Sequence, residues 1–202
     1  MLPKVSIIIP YNKDRGWLNE AIKSVESQKY KGEIELIMSQ SNKGVSYNLN
    51  RGIERSTGDF IKYLCEDDWL PENSIADSVS KLSEGYDFIH GNALNYFYGR
   101  IETQKPRKKS PSFETMILNN VIHGGTLMYK RDCFNERMFD ESLDCAEEYD
   151  FNLYLLKHGH RLGYSDSYLY YYRRHDLQKS LGKGIDQEVR RKKIHAIKMK
   201  YA

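Results

Sequence analysis

The sequence has few cysteines and no long apolar run. Its three cysteines, Cys65, Cys133 and Cys145, have neither an even count nor metal-ligand spacing, so a disulfide framework and a zinc module are not expected. A reducing compartment is the simplest one for them. No apolar run approaches the roughly 20 residues that span a bilayer, and no signal-peptide core follows Met1. We therefore expect a soluble cytoplasmic protein, with peripheral contact at the inner face of a membrane left open.

Net charge is also small, at +3, which argues against a uniformly basic surface. The positive charge is concentrated in two clusters, at residues 105–109 and 190–200. Such clusters attract phosphates, anionic lipid or nucleic acid, although an ordinary solvated face has the same composition. Tyrosine, in contrast, is abundant, with 16 copies. Phenol rings suit wet clefts and stacking on sugars or bases as well as cores.

The first half of the chain alternates short apolar runs with helical periodicity. Residues 5–9 form a β-branched run typical of a strand buried on both faces. Further strands are predicted at 34–38, 60–64 and 86–90, with helices at 17–25, 45–55 and 71–82 between them. This alternation favours an α/β fold with βαβ units and a mainly parallel sheet. In such sheets, ligands bind beyond the carboxyl ends of the strands.

The second half is less regular, and its length together with the first half fits one domain or two small lobes. Residues 95–111 are polar and basic, which predicts a surface loop or hairpin. The remaining predicted elements are a helix at 113–118, a helix at 147–158, a tyrosine-rich strand pair or extended segment at 161–173, and a basic helix from 186 onward. On this last helix Val189, Ile194 and Ile197 are expected on or near one side.

Three consecutive acids, Glu66, Asp67 and Asp68, directly follow the third predicted strand. Consecutive acids are common in solvated turns. At the end of a buried strand, however, clustered carboxylates repel one another unless a cation neutralises them. Hard oxygen ligands select Mg²⁺ or Mn²⁺, which in turn hold the phosphates of a substrate. The cluster therefore predicts a metal-dependent enzyme.

A series of short motifs in a fixed order resembles the family 2 glycosyltransferases of the GT-A fold. The resemblance is dense from Val5 to about Asn73 and resumes at three later motifs: Gly124-Gly125-Thr126, Glu147-Glu148-Tyr149-Asp150 and Tyr172-Arg173-Arg174-His175. It implies a Rossmann-like, mixed and mainly parallel sheet flanked by helices, in a single domain over 1–202. Residues 1–92 would bind the nucleotide sugar, 93–184 would bind the acceptor and carry catalysis, and 185–202 would form a basic C-terminal helix.

The resemblance also implies roles for individual residues. Glu148 best matches the catalytic base of the family, with Glu147 as the neighbouring candidate. The ligands of a Mn²⁺ or Mg²⁺ ion would be Asp67, Asp68 and His175. A larger set of residues is implied to contact the nucleotide-sugar donor: Pro10, Tyr11, Asn12, Ser39, Asn42, Gly44, Asn50, Glu66, Asp67 and Gly125.

Plainer interpretations of the same residues stay open. Glu147 and Glu148 could merely favour the positive end of the following helix. His175 could be a surface histidine near Arg173 and Arg174. Gly124 and Gly125 could form a simple turn instead of allowing close approach to a sugar.

Two departures from the family pattern concern nucleotide recognition and the metal. The family commonly has Val-Asp-Asp-Gly-Ser after the second strand, whereas residues 36–42 here have no acid. Ser39 or Gln40 could replace the missing base contact through neutral hydrogen bonds. Cys65 stands where the family often has an aspartate, so metal binding would rest mainly on Asp67 and Asp68.

The sequence therefore predicts an inverting glycosyltransferase that uses a nucleotide-diphosphate sugar, with a UDP-sugar the most expected donor. The expected acceptor is a surface glycan or a glycolipid. Three alternatives are retained: transfer to a modified nucleic-acid base, metal-dependent nucleotidyl transfer, and a nucleotide-sugar-binding module without catalysis.

Overall fold

A computed structural model describes residues 1–179 and 185–201. Within them, strands and helices alternate from the start of the chain. The strands are β1 Val5–Tyr11, β2 Ile34–Gln40, β3 Phe60–Tyr63, β4 Phe88–Phe97, β5 Arg100–Gln104, β6 Met128–Lys130 and β7 Leu162–Arg173. The helices are α1 Leu18–Glu26, α2 Val45–Arg55, α3 Ser74–Leu82, α4 Phe113–Leu118, α5 Glu147–Lys157 and α6 Gln187–Tyr201.

One mixed sheet joins all these strands. Its order is β2-β1-β3-β6-β4-β5, and β7 pairs with β4 as well. The strands β1, β2 and β3 are mutually parallel, as are β4 and β7. The short strand β6 runs antiparallel to both of its neighbours, β3 and β4. The predicted α/β architecture with a mixed sheet and flanking helices is confirmed.

Strand β1 lies at the centre of the parallel part, and its side chains are buried on both faces. Ile8 packs into the core beside α2 and α5, whereas Ile7 and Ile9 pack into the core beside α1 and α3. All three are fully buried, and burying each one contributes roughly 1.5–3 kcal/mol. Truncating Ile8 to alanine would leave a cavity and cost about 2–5 kcal/mol. The continuous apolar run is therefore explained by a strand covered on both sides.

The later strands differ in extent from the predicted ones. Strand β4 continues to Phe97 and turns at Tyr98 and Gly99, both with positive φ (41° and 91°), into β5. Positive φ at both central residues gives the strands the twist that a two-residue hairpin requires. Of the two forms predicted for this region, the hairpin is therefore the correct one. Strand β7 is one continuous strand parallel to β4, interrupted near Asn92 of β4 by a shift in register.

Helix α6 is held by its C-terminal end. The Tyr201 hydroxyl donates to Asp150 and contacts Arg137, and Ile197 is also buried. Val189, expected on or near the same side as Ile197, is 43% exposed, because the helix is anchored through its last turns. None of the helices in the described part of the chain is long and apolar enough to cross a bilayer.

Candidate active site

The loops that follow β1, β2 and β3 enclose a cavity of about 420 Å³ at the carboxyl edge of the sheet. We call it the strand-end cavity. Its lining residues are Pro10, Tyr11, Asn12, Arg15, Ser41, Asn42, Gly44, Val45, Asn48, Cys65, Glu66, Asp67, Glu147, Leu177, Gln178 and Lys179. Most of the residues predicted to contact the donor thus lie together, as expected for side chains beyond the ends of parallel strands.

Asn48, which the sequence did not indicate, fixes the walls of this cavity. Its amide nitrogen donates to the carbonyls of Tyr11 (3.0 Å) and Ser41 (3.1 Å), and its oxygen accepts from the Ser41 hydroxyl (2.6 Å). It therefore ties together the loops that follow β1 and β2. Gly44, at the start of α2, has φ 108°, a conformation that favours glycine.

Three residues from the predicted donor set, Ser39, Asn50 and Gly125, do not line the strand-end cavity. Ser39 is buried within β2, opposite Pro10. The Asn50 amide donates to the Phe139 carbonyl and to Glu141, and its oxygen accepts from the Phe139 N–H. Asn50 therefore holds the segment before α5 against α2 and does not face the cavity.

The acidic cluster contacts Arg15 and His175. The Arg15 guanidinium donates from Nε and Nη2 to the two carboxylate oxygens of Glu66, both at 2.6 Å, and from Nη2 to Asp67 at 3.2 Å. His175 Nε2 lies 2.9 Å from the same Asp67 oxygen, and the His175 side chain is only 10% exposed. His175 is thus part of the cluster and not a surface histidine.

Asp68 lies deeper than its neighbours. Its two oxygens accept from the Tyr170 hydroxyl and from the Arg173 backbone N–H, both at 2.8 Å. Burial and the charge of Asp67 raise the pKa of Asp68, because a charged form is disfavoured away from water and beside a like charge. Asp68 therefore supports the loop after β3 more than it faces the cavity.

The cluster offers ligands for a divalent cation. A sulfur of Cys65 and carboxylate oxygens of Asp67 and Asp68 lie within 4.8 Å of one another. Carboxylate oxygens suit Mg²⁺ or Mn²⁺, whereas burial raises the pKa of the Cys65 thiol and keeps it a poor ligand for such ions. Asp67, with His175 beside it, fits a hard cation, which would compete with Arg15 for the Asp67 carboxylate.

A second cavity, of about 680 Å³, opens on the other side of Cys65 and Glu147, which line both cavities. We call it the lateral cavity. Its other lining residues are Tyr63, Asp68, Gln104, Arg107, Asn119, Asn120, Ile122, His123, Gly124, Gly125, Ala146, Glu148, Tyr149, Tyr170, Tyr172, Arg174, Arg190, Ile194 and Lys198. Gly125, predicted to contact the donor, lies here. The lateral cavity draws on residues from each of the three predicted segments of the chain.

The carboxylates of Glu147 and Glu148 lie where the two cavities meet. Both belong to the first turn of α5, which follows Ala146 in a left-handed conformation (φ 61°). Burial raises the pKa of both, and the charge of Glu148 further raises the pKa of Glu147. They occupy the positive end of the helix, as the plainer interpretation required, but they also face a cavity. A carboxylate with a raised pKa in a cleft is suited to accept a proton.

The turn at Gly124–Thr126 packs tightly against the floor of the lateral cavity. A Cβ added to Gly125 would lie 2.5 Å from the Tyr170 ring, and one added to Gly124 would lie 2.8 Å from the Glu148 side chain. The two glycines are thus required by packing within the protein in a 3₁₀ turn, as the turn interpretation proposed.

Lys62 supports this turn from inside the protein. It is fully buried on β3, and its Nζ donates to the carbonyls of Gly125 (3.1 Å) and Leu127 (3.2 Å). Burial lowers the pKa of Lys62 to about 7. A lysine inside a buried strand is itself an unusual sequence signal, although the sequence alone does not identify the carbonyls that it contacts.

Comparison with known proteins places this arrangement in a family. The sequence model described as glycosyl transferase family 2 matches residues 26–138, more than half of the chain. A β-1,3-glucosyltransferase of Campylobacter jejuni that acts on GalNAc(5)-diNAcBac-PP-undecaprenol is 27% identical over 121 residues, covering 46% of this chain and 39% of the relative. An uncharacterized glycosyltransferase of Rickettsia typhi is 26% identical over 182 residues, covering 73% and 57%. The chain thus spans less than two thirds of these relatives.

Solved structures of TarS from S. aureus share the fold. The complex of TarS 1-349 with UDP-GlcNAc has a TM-score of 0.71 at 18% identity, covering 89% of this chain and 61% of TarS. The complex with UDP has a TM-score of 0.70 at 17% identity, covering 98% and 70%. At this level of identity the likeness establishes the fold alone, and it confirms the expected GT-A architecture.

Proposed function

The chain belongs to glycosyltransferase family 2, and from that membership we propose that it transfers a hexosyl group from a UDP-linked donor to a hydroxyl of a glycan or glycolipid. The observation that carries this proposal is the carboxylate pair at the junction of two cavities. Glu147 lines both, and Glu148 lines the lateral one. Two cavities that meet at a proton acceptor are the arrangement that a two-substrate transfer needs.

The strand-end cavity is the proposed donor site. Tyr11 and Asn12, with Asn42 and Gly44 opposite, are assigned to the nucleoside. The diphosphate lies toward Arg15 and Lys179, whose positive charges suit it. The support for uridine as the base is the binding of UDP and UDP-GlcNAc by TarS, because the acids that commonly read the base in this family are missing here.

Glu148 is assigned as the general base. It removes the proton of the acceptor hydroxyl while that oxygen attacks the anomeric carbon of the donor. The bond from the anomeric carbon to the diphosphate oxygen breaks, and its electron pair leaves with the nucleotide. Attack opposite the leaving group inverts the anomeric configuration. Glu147, one residue earlier, is the second candidate for this role, and burial and the charge of Glu148 raise its pKa.

A divalent cation, Mn²⁺ or Mg²⁺, is proposed beside the diphosphate. Asp67 and His175 would hold it, with Asp68 behind them. When bound, such an ion neutralises the charge that develops on the departing diphosphate. Arg15 neutralises Glu66 and Asp67, so Arg15 would have to release Asp67 for Asp67 to hold such an ion.

The acceptor is proposed to be a carrier-linked glycan. The support comes from the Campylobacter relative, whose acceptor is joined through PP to undecaprenol. A lipid-linked acceptor would place the enzyme at a membrane surface, where the basic α6 could contact anionic lipid.

A transfer assay tests this proposal directly. The protein is incubated with Mn²⁺ and UDP-sugars that carry separate labels on the sugar and on the uridine. We expect sugar label in the product, or in water as slow hydrolysis when no acceptor is added, and uridine label in free UDP. Uridine label in the product would instead assign nucleotidyl transfer, and UDP binding without any turnover would assign a binding module.

A further inference from the structure

We propose that the lateral cavity binds a phosphate group of the acceptor, through Arg107, Arg174 and Arg190, so that the acceptor is a phosphate-bearing molecule. This inference rests on the proposed function, because it takes the lateral cavity as the acceptor site. It adds the chemical class that this site selects.

The first observation is that the arginines of this cavity lack acidic partners. Arg107, Arg174 and Arg190 all line the cavity, and none forms an ion pair with a described residue. Four other arginines are paired with acids, Arg15, Arg51, Arg137 and Arg173. Asp68, Glu147 and Glu148 also line the lateral cavity, and the charge of Arg190 acts on Glu148. No described carboxylate, however, lies within ion-pair distance of the three guanidinium groups, so an anion can bind between them.

The second observation is that polar atoms in the cavity wall are buried without a partner. Arg174 Nε and His123 Nδ1 both lack a hydrogen-bond partner. A buried polar atom without a partner costs roughly 1–3 kcal/mol, and such atoms are rare in folded proteins unless a ligand satisfies them.

These groups are also held in place. The Arg174 guanidinium lies over the rings of Phe97 (5.4 Å) and Tyr172 (5.1 Å), and the His123 ring lies against Tyr172 at 4.9 Å. Burial and the charges of Arg174 and Lys62 lower the pKa of His123 to about 4. His123 is therefore neutral near pH 7, and it can donate to or accept from a phosphate ester without adding a further charge.

The position of the arginines distinguishes the acceptor from the donor. Arg107 comes from the segment after β5, Arg174 follows β7 and Arg190 lies on α6, and none of the three lines the strand-end cavity. Glu147 lines both cavities and Glu148 lines the lateral one, whereas Asp67 lines the strand-end cavity. An acceptor phosphate held here leaves its sugar hydroxyl near Glu148, whereas the diphosphate of the donor lies beyond the pair. Several guanidinium forks match the oxygens of a phosphate or diphosphate better than the two oxygens of one carboxylate.

The experiment compares two probes that differ only in a phosphate, N-acetylglucosamine 1-phosphate and N-acetylglucosamine. Each is titrated calorimetrically into the full chain with UDP saturating the strand-end cavity, and again without UDP. We expect the sugar phosphate to bind the UDP-saturated protein at least tenfold tighter than the free sugar. Arg107→Gln and Arg174→Met should each lower that affinity by about tenfold. The UDP affinity should stay unchanged in both variants.

Matched controls are present in the chain. Arg100 lies on β5 beside the hairpin turn, and Arg191 is next to Arg190 on α6, but neither lines a cavity. Arg100→Gln and Arg191→Gln should leave the affinity for the sugar phosphate within twofold of the unsubstituted chain. Arg107 is exposed, so its variant keeps the test valid even if Arg174→Met folds poorly.

Several outcomes would overturn the inference. One is equal affinity for the sugar phosphate and the free sugar. Another is a tighter affinity for the sugar phosphate that both arginine variants retain. A third is displacement of the sugar phosphate by UDP. Tighter binding of a random single-stranded oligonucleotide through the same arginines would assign the cavity to nucleic acid and also overturn it. If the chain neither binds UDP nor hydrolyses a UDP-sugar, the proposed function fails instead, and the titration without UDP still reports on the lateral cavity.

The phosphate could belong to a lipid diphosphate or to a glycerol phosphate polymer. Competition by farnesyl diphosphate and by a glycerol phosphate oligomer separates the two sources. Either competitor supports the inference if Arg174→Met weakens it, and the tighter one identifies the source. Failure of both to compete with N-acetylglucosamine 1-phosphate would contradict a phosphate-bearing acceptor.

Discussion

The strand-end and lateral cavities differ in how their charges are balanced. In the first, Arg15 and His175 face the carboxylates of Glu66 and Asp67 at hydrogen-bond distance. In the second, Arg107, Arg174 and Arg190 have no such partner among the described residues. A paired cluster is stable without a ligand and must release contacts before a cation binds. Guanidinium groups without an ion-pair partner are free to bind an anion. The two cavities therefore favour ligands of different charge.

Their construction differs as well. The strand-end cavity is built mainly from short loops after three adjacent parallel strands, held together by Asn48. The lateral cavity is assembled from the segment after β5, the turn at Gly124–Thr126, the start of α5 and the side of α6. Its shape depends on long-range packing, including the buried Lys62 beneath the turn.

The largest expected effect is a loss of turnover from a change at Glu148, near the junction of the two cavities. Glu148→Gln removes the proposed base without a change in size, so turnover should fall by about 10²–10⁴-fold. UDP affinity should stay the same, because Glu148 does not line the strand-end cavity. Steady-state transfer and calorimetric UDP binding measure the two quantities.

Glu147→Gln serves as the matched comparison for this prediction. A smaller loss of turnover than in Glu148→Gln supports the assignment, whereas a larger loss would transfer the role of base to Glu147. Glu54→Gln, at an exposed position on α2, should leave turnover unchanged.

The second prediction concerns the buried cation beneath the lateral cavity. The pKa of Lys62 is about 7 in the folded protein but about 10.4 in an unfolded chain. Between these values the unfolded chain holds a proton that the folded chain lacks, so stability rises with pH across this window. The free energy of unfolding should therefore rise by about 4 kcal/mol more in the native sequence than in Lys62→Met from pH 6 to pH 10.

Urea unfolding at a series of pH values measures this difference, since all other titrating groups are common to both chains. Parallel stability curves would show that Lys62 keeps an ordinary pKa. Lys29→Met, at an exposed lysine of a surface pair with Glu72, is the control and should give a curve parallel to the native one.

The third prediction concerns a substitution that disrupts the charge balance of the strand-end cavity. Arg15→Met leaves Glu66, which is 5% exposed, without its bidentate partner. The free energy of unfolding should fall by about 3 kcal/mol, because an uncompensated buried charge is costly. Added Mn²⁺ should raise the melting temperature of this variant more than that of the native sequence, since the cation replaces the lost charge.

Arg51→Met tests the same chemistry at an exposed pair with Glu54, where a change within about 0.5 kcal/mol is expected. Equal stabilisation of Arg15→Met and the native chain by Mn²⁺ would contradict competition between Arg15 and a metal ion.

The smallest expected effect concerns a pH profile. A general base acts in its ionised form, and burial raises the pKa of Glu148, so kcat should rise with pH through an apparent pKa above the ordinary value of about 4.3. Burial and the charge of Glu148 raise the pKa of Glu147 to about 7, so Glu147 is still neutral while Glu148 ionises, and Glu147→Gln should leave this rise in place. A rise that moves to lower pH in Glu147→Gln would show that Glu147 is already charged when Glu148 loses its proton.

Much of the first half could be predicted because its signals are local. The helix predicted at 45–55 coincides with α2. The strands β1 to β3 lie at their apolar runs, and position after a strand end brought Tyr11, Asn42 and Asp67 to one cavity. Because parallel strands end at the same edge of the sheet, the proximity of these residues could be predicted without knowing any contact between distant parts of the chain.

The rest depended on contacts between distant parts of the chain. Asn50 bonds the Phe139 backbone, Asp68 bonds Tyr170, and Arg15 bonds Glu66, and none of these pairs leaves a periodic signal in the sequence. The extension of β4 came from its parallel pairing with β7, which local propensity does not encode. Arg15 could have been suspected, because a cation in the loop after β1 must face acids in the loop after β3.

The anchoring of α6 by Tyr201 makes the two cavities depend on different parts of the chain. The lining residues of the strand-end cavity end at Lys179, whereas Arg190 and Lys198 of the lateral cavity lie on α6. Tyr201, in the last turn of α6, fixes this helix against Asp150. A change at this one hydroxyl would therefore disturb the proposed acceptor site and leave the proposed donor site in place.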